Sequence, residues 1–246
     1  MANLTIGVVG AGVMGSGIAQ VTATAGYATT CVDVDPAALE RARGHVTTGR
    51  YGFERAVERG KLTREEADAA RARIVFSSSL ADAATANVVI EAVPERLDLK
   101  IRLFRDLDRA APPGTILASN TSGFSIAAIA AATDRPDRVI GWHWASPAPV
   151  MRFAEIVRTR ATSDHTIRIV CDLATACRKN PIVVNDTDTK WGFVANRIYG
   201  AAIDEARRVV EEGVAEPEDV DQLMMDCFGW PAGPYTMIRG ATEGWR

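Results

Sequence analysis

The chain reads as an α/β protein: a doubly wound, mostly parallel sheet followed by a small all-helical domain. Three observations predict this. Short apolar runs alternate with longer helical patterns over the first ~185 residues, as βαβ units require. A glycine-rich turn directly follows the first of those runs. Beyond the polar stretch that starts at Asp186, only helical periodicity is found. The expected domains are therefore 1–187 and 188–246.

Taken in order, the expected strands are Thr5–Val9, Thr29–Val34, Ile74–Ser77, Asn87–Ala92, Thr115–Ser119, Arg138–Trp142, Arg152–Val157 and Ile182–Val184. Val88, Val89 and Ile90 are apolar on successive residues, the pattern of a strand covered on both faces. Helices are expected over Met14–Ala25, Pro36–Arg59 and Lys100–Ala111, the last with apolar positions at Ile101, Leu103, Phe104 and Leu107. The charged stretch Glu40–Arg73 exceeds a simple crossover and suggests a helical excursion from the sheet. In the second domain Phe193, Ile198, Ala202 and Ala206 would share one helical face, and another helix should begin near Pro217.

Composition narrows the functional classes. A net charge of −3 gives no electrostatic case for nucleic acid. The longest apolar stretches, such as Ala86 to Val93, are strand-sized and far below the ~20 residues of a membrane span. The N-terminus runs into Thr5–Val9 with no basic leader. Four scattered cysteines without a C-x-x-C pair read as reduced thiols, so a cytoplasmic location is expected. No residue cluster suggests a metal.

The strongest local motif is Gly10-Ala11-Gly12-Val13-Met14-Gly15, between an expected strand and an expected helix. The first glycine permits a tight turn, the second lets the backbone approach a pyrophosphate, and the third allows close helix–strand packing. The helix N-terminus adds free N–H groups. Asp33 closes the second strand, placed to accept hydrogen bonds from a ribose and to repel a 2′-phosphate, so NAD is favoured over NADP. As a helix cap ahead of Pro36, Asp35 suits better than Asp33.

Of three histidines, only His143 stands at a strand end on the edge expected to face a dinucleotide. Oxidation of a secondary alcohol needs a base for the hydroxyl proton, and imidazole titrates in the right range. Glu155, at the close of the next strand, could orient the ring. The residues alone leave an alternative open, in which His143 is packed between Trp142 and Trp144 and Glu155 is a surface strand end.

Several stretches occur in one order: Ala118-Ser119-Asn120-Thr121-Ser122, Gly141-Trp142-His143-Trp144, Pro147 to Glu155, Gly192-Phe193-Val194-Ala195-Asn196-Arg197 and Gly229-Trp230-Pro231-Ala232-Gly233-Pro234. Together they resemble the 3-hydroxyacyl-CoA dehydrogenase family, from about residue 4 to about residue 238. The resemblance implies a Rossmann domain, a helical domain and an acyl substrate carried on CoA or on a carrier protein. It also implies a homodimer. His143 would be the general base with Glu155 as partner, and Ser122 and Asn196 would hydrogen-bond the reacting oxygens. Glu95 and Lys100 match positions that contact NAD. From the residues alone, Ser122 could instead cap the helix near Ser125, Asn196 could be an ordinary helix position, and Glu95 and Lys100 a solvated helix start.

The chain also departs from that pattern. Ser146 stands where the family has an amide that reaches toward the cofactor. Gly49 and Ala56 fall near positions that anchor CoA and offer neither hydroxyl nor cation, although Arg50, Arg55 and Arg59 lie close by. The hinge Asp188–Trp191 is longer than the family's, and the chain stops at Arg246 where family members continue through further helices. Two rival readings follow. One is a dehydrogenase of a free β-hydroxy acid, using Lys190 or Lys179 as base; the other is a non-catalytic NAD-binding protein.

Overall fold

A computed structural model describes residues 4–187 and 190–243. The chain divides into two compact units, Met1–Phe193 and Val194–Arg246. The division falls a few residues later than the polar segment suggested, because Phe193 is buried within the first unit's apolar cluster. Of the expected hinge, Asp188 and Thr189 lie outside the described residues.

The first unit runs β1 (Thr5–Val9), α1 (Val13–Thr24), β2 (Ala28–Val32), α2 (Pro36–Thr47), α3 (Phe53–Glu58), α4 (Arg64–Ala72), β3 (Ile74–Ser77), α5 (Leu80–Ala84) and β4 (Val88–Glu91). It continues through α6 (Leu97–Ala110), β5 (Ile116–Ser119), α7 (Ile126–Ala130), β6 (Val139–Trp144), β7 (Phe153–Arg158), α8 (Asp164–Ala176) and β8 (Asn180–Asn185). These strands form one sheet in the order β3-β2-β1-β4-β5-β6-β7-β8. All neighbours are parallel except β6 and β7. The order reverses between β1 and β4, and that switch point opens a crevice at the strands' carboxyl ends.

Two apolar clusters cover the two faces. Ile6, Val8, Val88, Ile90, Trp142 and Trp144 point toward α1, α2 and α8. Val9, Val89, Leu117, Val139 and Val157 point toward α5, α6 and α7. Val88, Val89 and Ile90 are 0% exposed, as the unbroken apolar run required, and each contributes roughly 1.5–3 kcal/mol by burial.

The excursion from Glu40 to Arg73 is three helices rather than one long one. Two glycines break the expected Pro36–Arg59 helix. A Cβ on Gly49 would stand 2.5 Å from the His45 carbonyl oxygen, and one on Gly52 would stand 2.8 Å from it. Positions 49 and 52 of the turn between α2 and α3 therefore leave no room for a Cβ in this backbone conformation. Val46, Phe53, Ala67 and Ala70 give the excursion a small core of its own, and a capping box between Thr63 and Glu66 starts α4.

The second unit contains α9 (Val194–Glu211), α10 (Pro217–Phe228) and α11 (Pro234–Glu243). Its buried face differs from the expected stripe. Ile203 and Ala206 are buried on α9, whereas Ile198 is 68% exposed. Periodicity fixes a helix but not which neighbour covers it. Asp221, buried on α10, accepts hydrogen bonds from the N–H groups of Tyr235 and Thr236 at 2.7 and 2.9 Å and from the Thr236 hydroxyl at 2.7 Å. Gly233 lets the chain pass that close, since a Cβ there would stand 2.3 Å from the Asp221 Cα. The Asp221→Ala variant should lose about 1–3 kcal/mol from the α10–α11 junction by leaving those donors unpaired. Faster amide exchange confined to α11 is the expected readout.

Candidate active site

The glycine turn has the geometry of a dinucleotide cradle. Gly10 has φ +100°, and a Cβ on it would stand 2.6 Å from the Ala92 carbonyl oxygen. A Cβ on Gly15 would stand 1.7 Å from the Gly10 carbonyl oxygen, so only glycine lets α1 close on β1 there. At Gly12 a Cβ would meet nothing within 4 Å: the outer side of the turn is open. Gly12 is the N-cap of α1 and makes no side-chain cap, and the first turn carries no acid. The positive end of the helix thus remains available to a pyrophosphate beside Val13 and Met14.

Asp33 closes over this turn. Its Oδ2 accepts from the Ala11 N–H at 2.8 Å and its Oδ1 from the Asp35 N–H at 3.0 Å, leaving further lone pairs for ribose hydroxyls. Asp35, not Asp33, caps α2 by accepting from the Ala37 N–H. These residues fit NAD.

His143 and Glu155 face each other directly in the antiparallel register of β6 and β7. Directly opposed residues project to the same side of a sheet, and His143 Nδ1 lies 2.8 Å from Glu155 Oε2. Only 6% of His143 and 4% of Glu155 is exposed, and the rings of Phe153 and Phe193 stand 5.2 and 6.0 Å from the imidazole. β6 extends two residues beyond its expected end, so His143 sits inside the strand rather than past it. Strand alternation sends Trp142 and Trp144 to the opposite face, so the histidine is not packed between them.

A polar network organises the loop after β5. Glu91, 0% exposed at the end of β4, accepts from Lys100 Nζ at 2.6 Å, from the Val93 N–H at 2.8 Å and from the Ser119 hydroxyl at 2.6 Å. Burial pushes the Glu91 carboxyl up, opposed by the Lys100 ammonium and the Ser119 hydroxyl. Lys100 also pairs with Glu95 at 3.1 Å. Glu95 in turn accepts from the Thr121 hydroxyl at 2.5 Å and from the Ser122 N–H at 2.9 Å. Lys100 is 1% exposed and so is no solvated helix start; it holds Glu95, and Glu95 holds the Ser122 turn.

Ser122 does not cap α7. Ser125 does so itself, accepting from the Ala128 N–H, while Asp186 accepts from the Ser125 hydroxyl and from the Ile126 and Ala127 N–H groups. Asn120 accepts from the Trp144 N–H at 2.9 Å and ties the same loop to β6. Sequence reasoning did not single out Glu91, and read Asn120 only as part of a motif stretch and Asp186 only as the start of a polar segment. A lone carboxylate closing an apolar strand was the available signal for the first.

The remaining candidates are placed as follows. Ser146 is exposed in the loop between β6 and β7. Asn196 stands in the first turn of α9, in the helical unit. Lys190 is exposed. Lys179 is 5% exposed and donates to the carbonyls of Ala148 and Met151 at 2.6 and 2.7 Å. Its Nζ stands 5.1 Å from the Trp144 ring centre, on the side of the sheet away from His143. Burial pushes the Cys31 and Cys177 thiols up to about 12, so both stay protonated and inert. Among the described residues no helix is long and apolar enough to cross a membrane, and no group of three or more His, Cys, Asp or Glu could hold a metal ion.

Residues 5–187 match the family model for the 3-hydroxyacyl-CoA dehydrogenase NAD binding domain, and residues 192–244 match the one for its C-terminal domain. A probable 3-hydroxybutyryl-CoA dehydrogenase of Bacillus subtilis is 44% identical over 94% of this chain and 78% of that protein. The human mitochondrial hydroxyacyl-coenzyme A dehydrogenase is 35% identical over 94% of this chain and 74% of its own. The crystal structure of (S)-3-hydroxybutyryl-CoA dehydrogenase from Ralstonia eutropha superposes with a TM-score of 0.88 at 40% identity, covering 94% of this chain and 80% of that one. The eight-stranded sheet, the glycine turn and these matches agree: the chain belongs to the 3-hydroxyacyl-CoA dehydrogenase family of NAD-dependent oxidoreductases.

Proposed function

We propose that the chain interconverts a 3-hydroxyacyl thioester and the corresponding 3-oxoacyl thioester, with His143 as general base. The observation that carries this reading is the buried His143–Glu155 pair at the carboxyl end of β6. With Nδ1–H donating to Glu155, Nε2 keeps its lone pair and can accept the substrate hydroxyl proton. The imidazolium so formed is stabilised by the adjacent carboxylate, and the same proton returns to the oxygen in the reverse direction. When bound, NAD supplies the acceptor for the hydride leaving the carbinol carbon. Ser122 and Asn196 would hydrogen-bond the reacting oxygens. Glu95 and Ser146 would contact the cofactor, and Lys100 would act through Glu95. Asp33 would select NAD over NADP.

The lysine-base alternative has less support. Two carbonyls occupy Lys179 on the far face of the sheet, and Lys190 is exposed. The substrate is tested by following NADH formation with 3-hydroxybutyryl-CoA, the same acyl group on a carrier protein, and free 3-hydroxybutyrate. Turnover of a thioester is expected. Turnover of the free acid alone would replace the thioester reading, and NAD binding without any turnover would leave a non-catalytic binder. Glu155→Gln should lower kcat roughly 10-fold or more while shifting KM little, since its role is to favour the imidazolium formed during reaction.

The working form would be a homodimer in the cytoplasm. Ile198, Leu223 and Phe228 are 68%, 63% and 68% exposed on the helical unit, an apolar area suited to a second copy. The four cysteines are all free thiols, which fits a reducing compartment. Sedimentation of the purified chain should give twice the monomer mass.

A further inference from the structure

The segment that ends the first unit is pinned at three successive residues beside the candidate site. Trp191, Gly192 and Phe193 all belong to that unit. The Gly192 N–H donates to the Gly123 carbonyl at 3.2 Å, and Gly192 turns there at φ +90°. Phe193 is 3% exposed, with its ring centre 6.0 Å from that of the His143 imidazole. The Trp191 indole lies over Gly123: a Cβ on that glycine would stand 2.7 Å from two carbons of the ring. Gly123 follows Ser122 directly, so the indole borders the turn that carries the proposed contact to the reacting oxygen.

Held at its base, Trp191 is nevertheless 56% exposed. The backbone donors of the turn beneath it are spent internally. The N–H groups of Gly123 and Phe124 go to the Thr121 hydroxyl, that of Thr121 to the Ser119 hydroxyl, and that of Ser122 to Glu95. What this flank presents outward is therefore an indole, continued by the Phe153 and Phe193 rings around the imidazole. The carboxylate in contact with the turn is Glu95, and the Lys100 ammonium beside it is already paired with Glu91 and Glu95. A further anion placed here would meet the negative face of an aromatic ring and a neighbouring acid.

We propose that Trp191 is a specificity-determining residue whose indole forms an apolar wall for the acyl tail, favouring uncharged tails over those that end in a carboxylate. The inference rests on the reaction proposed above, which sets the hydroxyl-bearing carbon between Ser122 and His143. A tail running from there along the indole buries methylene groups, each worth about fourfold in kcat/KM. A terminal carboxylate at the same place must shed its water against an aromatic face, so tails of equal length are separated by charge. Lys190 precedes Trp191 and is exposed; a tail that reached its ammonium instead of the indole would show the opposite preference.

The test is the ratio of kcat/KM for 3-hydroxyhexanoyl-CoA to that for 3-hydroxyadipyl-CoA, thioesters of equal chain length, measured with NAD and with 3-hydroxybutyryl-CoA as reference. The parent is expected to favour the hexanoyl over the adipyl substrate about tenfold or more. Trp191→Ala should bring that ratio to within about threefold of unity, whereas Trp191→Phe, which keeps an aromatic face, should retain most of it. A merely structural loss lowers all three substrates alike and leaves the ratio in place. An unmoved ratio in Trp191→Ala, or a parent that prefers the adipyl substrate, overturns the proposal while the reaction itself stands. A parent that turns over none of the three thioesters removes the reading of the reaction, and this inference with it.

Discussion

Replacing His143 with alanine should reduce kcat by roughly 10²–10⁴-fold, the contribution of a positioned general base, while the NAD dissociation constant stays within about twofold. The imidazole and the cofactor turn are built by different parts of the sheet. The turn depends on Gly10, Gly12, Gly15 and Asp33 around the end of β1; His143 hangs from β6 and is held by Glu155 across to β7. Truncation removes the proton acceptor and one partner of a buried pair. Some loss of stability therefore accompanies the loss of rate, and cofactor titration by fluorescence quenching separates the two. Unchanged turnover in His143→Ala would refute the assignment of the base.

The second large effect is expected at Glu91, which touches no reacting group. Glu91→Ala leaves the Lys100 ammonium 1% exposed with Glu95 as its one remaining carboxylate among the described residues, and strips an acceptor from Ser119 and Val93. Breaking a buried pair in this way costs about 3–5 kcal/mol, or roughly 6–20 °C in melting temperature for a unit of this size. Pairing Glu91→Leu with Lys100→Met, so that neither charge is buried alone, should recover much of that loss. Because Lys100 also holds Glu95, which holds the Ser122 N–H, the double variant should be stable yet show a raised KM. Melting curves and steady-state kinetics on the three proteins would display the two effects separately.

How much of this was legible in the sequence follows from how local each feature is. The glycine turn, Asp33 and the alternation of strands and helices are set by spacing within a few residues; the turn and each expected strand are found, with ends shifted by at most two residues. The His143–Glu155 pair was legible as two strand ends twelve residues apart; their facing each other was not, because that needs the antiparallel register of β6 and β7. Lys100 was singled out as a cofactor contact, and its burial was not legible, since its depth depends on Glu91 arriving from another strand. The long helix expected over Pro36–Arg59 was wrong because the carbonyl of His45 forbids side chains at Gly49 and Gly52, a contact no periodicity reveals. Phe193 looked like the first residue of a helical stripe and belongs instead to the cluster that includes Val139 and Val157.

The cross-strand placement of His143 against Glu155 has a consequence for how such a protein can vary. Their separation is fixed by the hydrogen-bonded ladder between β6 and β7, not by the segment joining them. That segment, Ala145 to Arg152, can therefore lengthen, shorten or change its chemistry around Ser146 while the His143–Glu155 pair keeps its dimensions. A one-residue slip of the ladder, by contrast, would turn the imidazole to the other side of the sheet and break its pairing with Glu155.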